Sequence, residues 1–470
     1  MRKIIHFHLT KAGKHERRET FYQFIFITIL RCKKTIMTDK QDFEKSPVQA
    51  TWITIGTIGL LFFIFGFVTW LNGILIPYLK ISCELNHFES YLVAFVFYVA
   101  YVIMALPASW LLKKTGLKMG MMFGLFVMAI GALFFMPAAM TRTYGLFLSG
   151  LFIMGTGLAI LQTAANPYIT MLGPIESAAQ RISVMGIANK SAGMIATFLF
   201  GMMALKDGDA LLASLQAMDV TQKAAALNDL ASRVIIPYLG MALILVSIGV
   251  FVKVSGLPEI DPNVQNADED NKFHISKTSI FQFPYLLLGV LAIFCGVGIE
   301  IVAGDTIISY GLSQGIPISI AKHFTSMVMI ASIIGYAIGI IVIPHYISQS
   351  RALSFCTILG IILTALAVVS PKMISVVFIA LLGMANALLW PSIWPLAIEG
   401  LGRFTRIGSS LMIMGNLGGA LIPLLYGRMA DVFNPQQAYL LIIPCYAYIL
   451  YYAMAGQKIG KRIKEIPHIA

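Results

Sequence analysis

Four charged side chains lie inside or at the end of long apolar stretches of this chain, where a charge is costly and usually serves a function. They are Lys190, Glu300, Asp305 and Glu399. Glu300 lies close to the middle of its stretch, where a carboxylate can take up a proton, bind a sodium ion or accept hydrogen bonds from sugar hydroxyls. These residue types indicate that an ion or a polar solute is handled there. The alternative is that a carboxylate only pairs with a polar group and serves packing.

Asp305 and Lys190 are the candidate partners of Glu300. Five positions separate the two carboxylates, so on a regular helix they point about 140° apart. They can face one cavity only if the helix bends, which Gly304 would permit. Lys190 can extend its ammonium group towards the membrane surface or pair with a carboxylate across a cavity, and the sequence leaves both alternatives open.

Neutral amides form a second group of candidate residues within the apolar stretches. They are Asn72, Gln162, Asn166, Asn189, Asn386 and Asn416. An amide both donates and accepts hydrogen bonds, which suits a polyol with many hydroxyls. The alternative is hydrogen bonding between membrane helices, which contributes only about 0.6 kcal/mol on average. The set is spread over several apolar stretches, which favours a binding site.

Tryptophans form a third group. Trp390 and Trp394 are four residues apart and therefore share one face of a helix, and Trp70 precedes Asn72 in another apolar stretch. An indole ring can stack on the C–H face of a sugar, although it can equally pack between helices or lie at a membrane interface. We expect Trp390 to be the ring that contacts a ligand.

The elements that must position these side chains are membrane helices. The 470 residues are 58% apolar and 12% charged, with a mean hydropathy of +0.81, whereas a soluble chain is about 45–50% apolar and about 25% charged. This composition excludes an ordinary soluble enzyme and a disordered chain. Five cysteines are too sparse for a disulfide scaffold. The net charge of +12 points to an anionic lipid surface rather than to nucleic acid, because the basic residues lie between apolar runs.

We therefore predict an all-α membrane protein with twelve transmembrane helices of about 20 residues each. Their centres lie near Leu61, Val99, Met128, Gly157, Ile195, Leu243, Phe294, Ile333, Leu359, Gly383, Leu417 and Tyr446. The Ala- and Leu-rich break at 206–232 is expected to form an amphipathic helix. The internal similarity of 191–201 to 417–427, at an offset of 226, indicates two related halves with a binding site between them.

The predicted organisation is a tail at 1–50, a six-helix bundle at 51–256, a linker at 257–282, a second six-helix bundle at 283–457 and a tail at 458–470. Met37 is favoured over Met1 as the natural initiator. Segments assigned to the inside hold twenty-five Lys and Arg, and those assigned to the outside hold eight. This asymmetry predicts that both termini and the linker are cytoplasmic.

Motifs of other functional classes are missing from the sequence. No GxxxxGK[ST] phosphate-binding motif occurs, which argues against an ATP-driven pump. No HExxH motif occurs, which argues against a membrane metalloenzyme. The cysteines and the eight histidines show no spacing typical of a metal site. We expect no metal and no organic cofactor.

Three sets of motifs resemble the fucose–galactose–glucose transporter family of the major facilitator superfamily, in its glucose/galactose branch. They are WLNGILIP at 70–77, LQTAANPY at 161–168 with LGP at 172–174, and EGLG at 399–402 with GGALIP at 418–423. The resemblance covers about Trp52 to Gly456. It implies the major facilitator fold and sugar uptake by alternating access, driven by a proton or sodium gradient, in the inner membrane of a bacterium.

Family members of the fucose-permease type carry an Asp in the first helix and a Glu in the fourth for proton coupling and sugar binding. The resemblance places Gly73 and Gln162 at these positions, whereas Asn189 keeps the asparagine of the fifth helix. Gln162 can hydrogen-bond a sugar hydroxyl but cannot cycle a proton. From the charges that remain, we expect Glu300 and Asp305 to couple H⁺ or Na⁺, with Lys190 as a possible charge partner.

The combined prediction is a symporter that imports a neutral hexose through a lipid bilayer. Substrate contacts are expected at Asn72, Gln162, Asn166, Asn189, Asn386 and Trp390. A monomer is compatible with this prediction, and the identity of the sugar and the oligomeric state stay open. A drug/proton antiporter of the same superfamily would need a more apolar cavity, and a non-transporting sugar sensor would carry a larger cytoplasmic domain than this linker.

Overall fold

The structure is a computed structural model that describes residues 52–172, 177–204, 211, 214–215, 218–258, 278–343 and 346–461. The predicted N-terminal tail with Met37, most of the predicted linker and most of the C-terminal tail lie outside the described residues. Within them every regular element is a helix.

Eleven helical stretches of the described chain are long and apolar enough to cross a membrane. One of them, Phe88–Thr141, has 54 residues and reverses at Gly116, where the backbone leaves the helical region. It therefore supplies two crossings, and the described chain contains twelve crossing segments, here numbered α1 to α12. The prediction of an all-α protein with twelve spans is confirmed, and each predicted centre falls within one segment.

The first six segments are α1 (Trp52–Trp70 and Asn72–Ser82), α2 and α3 (His87–Leu133, divided at Gly116, with α3 continued by Phe135–Thr141), α4 (Tyr144–Met171), α5 (Ala178–Ala204) and α6 (Ile235–Val254). The last six are α7 (Pro284–Asp305 and Ile307–Ser313), α8 (Ile318–Ala321 and Phe324–Val342), α9 (Gln349–Val369), α10 (Lys372–Asn386 and Leu389–Ile398), α11 (Thr405–Met414 and Gly418–Val432) and α12 (Pro435–Ala438 and Ile442–Met454). Short 3₁₀ turns lie at Ile280–Gln282, Gly402–Phe404, Gly415–Leu417, Tyr439–Leu441 and Gly456–Lys458.

The reversal between α2 and α3 depends on one glycine. Gly116 has φ 80° and ψ 170°, a backbone region that is open essentially only to glycine and costs another residue about 1–3 kcal/mol. Lys118, two residues later, donates from Nζ to the carbonyl of Ser255 at 2.5 Å. This bond ties the turn to the end of α6.

A loop helix, Val220–Ser232, precedes α6. It confirms the predicted amphipathic helix over the second part of the break at 206–232. The side chain of Asp219 caps it by accepting a hydrogen bond from the backbone N–H of Gln222 at 2.8 Å. Leu227 and Leu230 are buried. Lys223 pairs with Glu84 at 2.5 Å, and this contact lowers the pKa of the Glu84 carboxyl below its usual value.

Spanning segments α1 and α7 break directly after a candidate residue, as α10 does after Asn386. The two helices of α1 meet at Leu71, directly after Trp70, and the two helices of α7 meet at Thr306, directly after Asp305. The hydroxyl of Thr306 bonds back to the carbonyl of Val302 at 2.7 Å. Breaks inside spanning helices are tolerated where the backbone is buried in protein, so both breaks mark the interior of the molecule.

The most extensive contacts between the first six segments and the last six run along two lines. Along α5 and α8, the hydroxyls of Thr197 and Ser326 lie 3.0 Å apart. Along α2 and α11, a Cβ on Gly419 would lie 3.0 Å from the ring of Tyr98. These contacts place α2, α5, α8 and α11 around the region where the candidate residues meet.

Candidate functional site

Lys190 of α5 and Glu300 of α7 form an ion pair. The Lys190 side chain is 2% exposed and that of Glu300 is 21% exposed. Burial of this kind is rare for charged groups unless they are paired. Of the two alternatives that the sequence leaves open for Lys190, the structure has the pairing with a carboxylate.

The ring of Trp70 packs against this ion pair. The Lys190 ammonium lies 3.6 Å from the centroid of the Trp70 ring, a cation–π geometry. The indole nitrogen donates to Oδ1 of Asn189 at 3.0 Å. A Cβ added to Gly193 or to Gly304 would lie 2.5 Å from the ring, so these two glycines make room for it. Trp70 thus joins α1 to both α5 and α7.

Asp305 lies close to the ion pair but is not hydrogen-bonded to it. Its side chain is fully buried, and neither carboxylate oxygen has a hydrogen-bond partner among the described residues. Lys190 and Glu300 are both close enough to interact with it electrostatically. We define these three residues, Lys190, Glu300 and Asp305, as the charge centre.

Gly73 lies beside the charge centre, at the position where the family resemblance implies a carboxylate. A Cβ at Gly73 would lie 3.0 Å from the hydroxyl oxygen of Thr325 and 3.2 Å from the carbonyl of Gly304. The Thr325 hydroxyl itself donates to that carbonyl at 2.8 Å. A side chain at position 73 would therefore displace α7 or α8 in this conformation.

Gln162 of α4 reaches the same region through two tyrosines of α2. Its amide nitrogen donates to the hydroxyl of Tyr101 at 3.3 Å. The rings of Tyr101 and Tyr98 stack with centroids 5.9 Å apart. Tyr98 lies in electrostatic range of Asp305 and Glu300, and its hydroxyl has no partner among the described residues.

The remaining candidate residues make no hydrogen bond to the charge centre within the described part of the chain. Asn386 accepts a hydrogen bond from the Tyr446 hydroxyl at 2.5 Å, and its Nδ2 has no partner among the described residues. Asn166 is 4% exposed, and its Nδ2 is likewise unpartnered within the described chain. Asn72 begins the second helix of α1, but its side chain lies outside the described residues.

Trp390 and Trp394 stack on each other, with ring centroids 5.3 Å apart. Trp394 is fully buried, whereas Trp390 is half-buried. Glu399, at the end of α10, pairs with Lys461 at 2.7 Å. Trp390 thus retains an accessible face, and Glu399 belongs to a different ion pair from Glu300.

Sequence reasoning missed Tyr98 and Tyr101 as parts of the site. They are three residues apart, so they share a face of α2. Two tyrosines at that spacing inside an apolar span are a usable signal, because a buried hydroxyl needs a hydrogen-bond partner. Reasoning from charges and amides alone passed over them.

Comparisons with known proteins extend over most of the chain. The Major Facilitator Superfamily profile matches residues 58–423. A protein named glucose/galactose transporter from Brucella abortus biovar 1 (strain 9-941) is 36% identical over 422 residues, which is 88% of this chain and 97% of that protein. The L-fucose-proton symporter of Escherichia coli (strain K12) is 28% identical over 398 residues, covering 84% of this chain and 90% of the symporter.

A solved structure is similar over the same extent. The crystal structure of the transporter FucP in the outward conformation matches with a TM-score of 0.68 and 26% identity, covering 87% of this chain and 99% of FucP. These matches confirm the predicted fold of a multi-pass membrane protein and the expectation of a transporter rather than an enzyme. The chain belongs to the Major Facilitator Superfamily, in the family that includes these glucose/galactose transporters.

Proposed function

We propose that the protein is a secondary active transporter that imports a neutral hexose by alternating access, coupled to a cation. The observation that carries this proposal is the charge centre, which lies where α1, α5 and α7 meet inside the membrane. Removing three ionisable groups from water is costly, so such groups inside a membrane protein are best explained by function. The names of the relatives, glucose/galactose transporter and L-fucose-proton symporter, support a hexose as the substrate.

The hexose contacts come from residues that retain accessible or unpaired polar atoms. Gln162, Asn189 and Trp390 are half-buried although they lie within spanning helices. Amides donate and accept towards hydroxyls, and the exposed part of Trp390 offers a stacking face. Asn166 and Asn386 each contribute an unpartnered Nδ2. Asn72 completes the proposed set.

The transport cycle follows from the two halves proposed from the sequence. Residues 51–256 and 283–457 form the two bundles, joined by the linker 257–282, with both termini on the cytoplasmic face of the bacterial inner membrane. The site lies between the bundles, so rocking one against the other would expose it to each side in turn. The charge centre has groups from both halves, which gives a coupled ion a means to bias this motion.

Uptake into proteoliposomes tests the proposal. The full chain is reconstituted, and the uptake of radiolabelled glucose, galactose, fucose and N-acetylglucosamine is followed with a proton gradient, a sodium gradient or neither. Concentrative uptake of at least one hexose under one gradient is expected. Proton-driven export of apolar cations without sugar uptake would instead identify a drug antiporter. Sugar binding without any flux would identify a sensor.

A further inference from the structure

The charge centre contains two carboxylates and only one cation. Lys190 is already paired with Glu300, and the oxygens of Asp305 lack a hydrogen-bond partner among the described residues. An ionised carboxylate in such a place is far costlier than the neutral acid. One proton on Asp305 makes the centre electrically neutral and removes that cost.

The surroundings of Asp305 offer no second cation within the described part of the chain. The charged and titratable groups that face Asp305 or its neighbour Thr306 are Lys190 from α5, Glu300 from α7, Tyr91 and Tyr98 from α2, Tyr426 from α11, and Tyr439 from the 3₁₀ turn within α12. Tyrosine stays neutral at ordinary pH. Lys190 is therefore the one cation that can balance both carboxylates within the described part of the chain whenever Asp305 is ionised.

A proton suits this position better than a sodium ion. Sodium needs several oxygen ligands, but two of the nearby hydroxyls are already hydrogen-bonded: Thr306 contacts Tyr439 at 2.7 Å, and Thr325 donates to the Gly304 carbonyl at 2.8 Å. The Tyr98 hydroxyl, which has no partner among the described residues, is a single additional oxygen. The ammonium group of Lys190 also repels a metal cation. A single proton needs only one carboxylate oxygen.

We propose that Asp305 carries the coupling proton, and that the Lys190–Glu300 ion pair holds α5 against α7 while this proton is bound. The inference rests on the proposed function and deepens it, because it names the coupled ion and separates the roles of the two carboxylates. In the proposed step, an O–H bond forms on Asp305 with a proton from water on one side of the membrane. The same bond breaks when the site faces the other side.

The position of Asp305 explains how its charge reaches the rest of the site. When the proton leaves, Lys190 is shared between two ionised carboxylates, and its hold on Glu300 weakens. Asp305 follows Gly304, against which the ring of Trp70 packs, and it immediately precedes the break of α7. A change of charge on Asp305 therefore acts on the junction of α1, α5 and α7.

The substitution Asp305→Asn tests the inference in the reconstituted full chain. Asparagine has nearly the shape of the neutral acid, so the variant is expected to fold and, at low pH where wild-type Asp305 carries its proton, to melt at the wild-type temperature. It is expected to exchange hexose across the membrane at a rate that no longer depends on pH, and to lose proton-driven accumulation. Asp229→Asn, which removes an exposed carboxylate of the loop helix, is the matched control and should behave as the wild type.

A second readout needs no transported sugar. The melting temperature of the wild type is expected to fall as rising pH removes the proton from Asp305, and this dependence should be absent in Asp305→Asn. The inference is overturned if the variant still accumulates hexose, if it fails to fold, if a sodium gradient alone drives the wild type, or if both proteins show the same pH dependence of melting. If the wild type moves no hexose but the two pH dependences differ, the proposed function fails while Asp305 remains the proton site.

Discussion

The ion pair between Lys190 and Glu300 gives an asymmetric prediction for stability. Glu300→Gln leaves the Lys190 ammonium, only 2% exposed, without its partner, and breaking a buried pair in this way costs about 3–5 kcal/mol. Lys190→Met leaves Glu300 alone, but that carboxylate is 21% exposed and water reaches it. The loss is then smaller, about 1–3 kcal/mol. The double variant, Lys190→Met with Glu300→Gln, leaves no buried charge of this pair without its partner. It should therefore be more stable than Glu300→Gln alone.

The free energy of unfolding of the wild type, the two single variants and the double variant can be measured by SDS titration in mixed micelles, with circular dichroism as the signal. The same cycle is repeated with Asp305→Asn in the background, because Asp305 could otherwise replace Glu300 as the partner of Lys190. In that background, the double-mutant cycle of Lys190→Met and Glu300→Gln should show the full coupling energy between the two residues. Additive losses from the two single substitutions, in both backgrounds, would refute the reasoning, since independent residues do not couple.

Three further predictions concern the packing around the site and the turn between α2 and α3. Gly304→Ala puts a Cβ 2.5 Å from the ring of Trp70, and such overpacking costs about 1–3 kcal/mol on SDS titration. Gly296→Ala in the same helix is its control, with no atom closer than 3.7 Å, and should be neutral or stabilising. Gly116→Ala, at φ 80° and ψ 170°, should lose about 1–3 kcal/mol by the same assay, and an unchanged protein would contradict the role of that turn. Trp70→Phe removes the bond to Asn189 and should cost about 1 kcal/mol, and it should slow hexose exchange in proteoliposomes.

The spanning helices could be predicted from the sequence because the physical rule is local. A run of about 20 apolar residues must be helical in a bilayer, since no other open structure satisfies its backbone groups there. The centres of all twelve segments could be placed in this way. The breaks at Leu71 and Thr306 could not, because they depend on how neighbouring helices satisfy the freed backbone groups.

The types of residue in the site could be predicted, but their pairing could not. An ionisable residue within an apolar run is visible in the sequence, so Lys190, Glu300 and Asp305 stand out. Which carboxylate Lys190 contacts depends on the packing of α5 against α7, across 110 positions of sequence. The contribution of Tyr98 was missed for the same reason, since its proximity to α7 and α11 arises only in the folded chain.

The most direct test of the central claim compares two kinds of flux in Glu300→Gln. Radiolabelled hexose is given to proteoliposomes of the wild type, of Glu300→Gln and of Asp229→Asn, first with a proton gradient and then with only unlabelled hexose inside. If the charge centre couples the ion to the sugar, Glu300→Gln exchanges hexose but no longer accumulates it, and the other two proteins do both. Accumulation by Glu300→Gln at the wild-type level would contradict the claim that this charge centre drives transport.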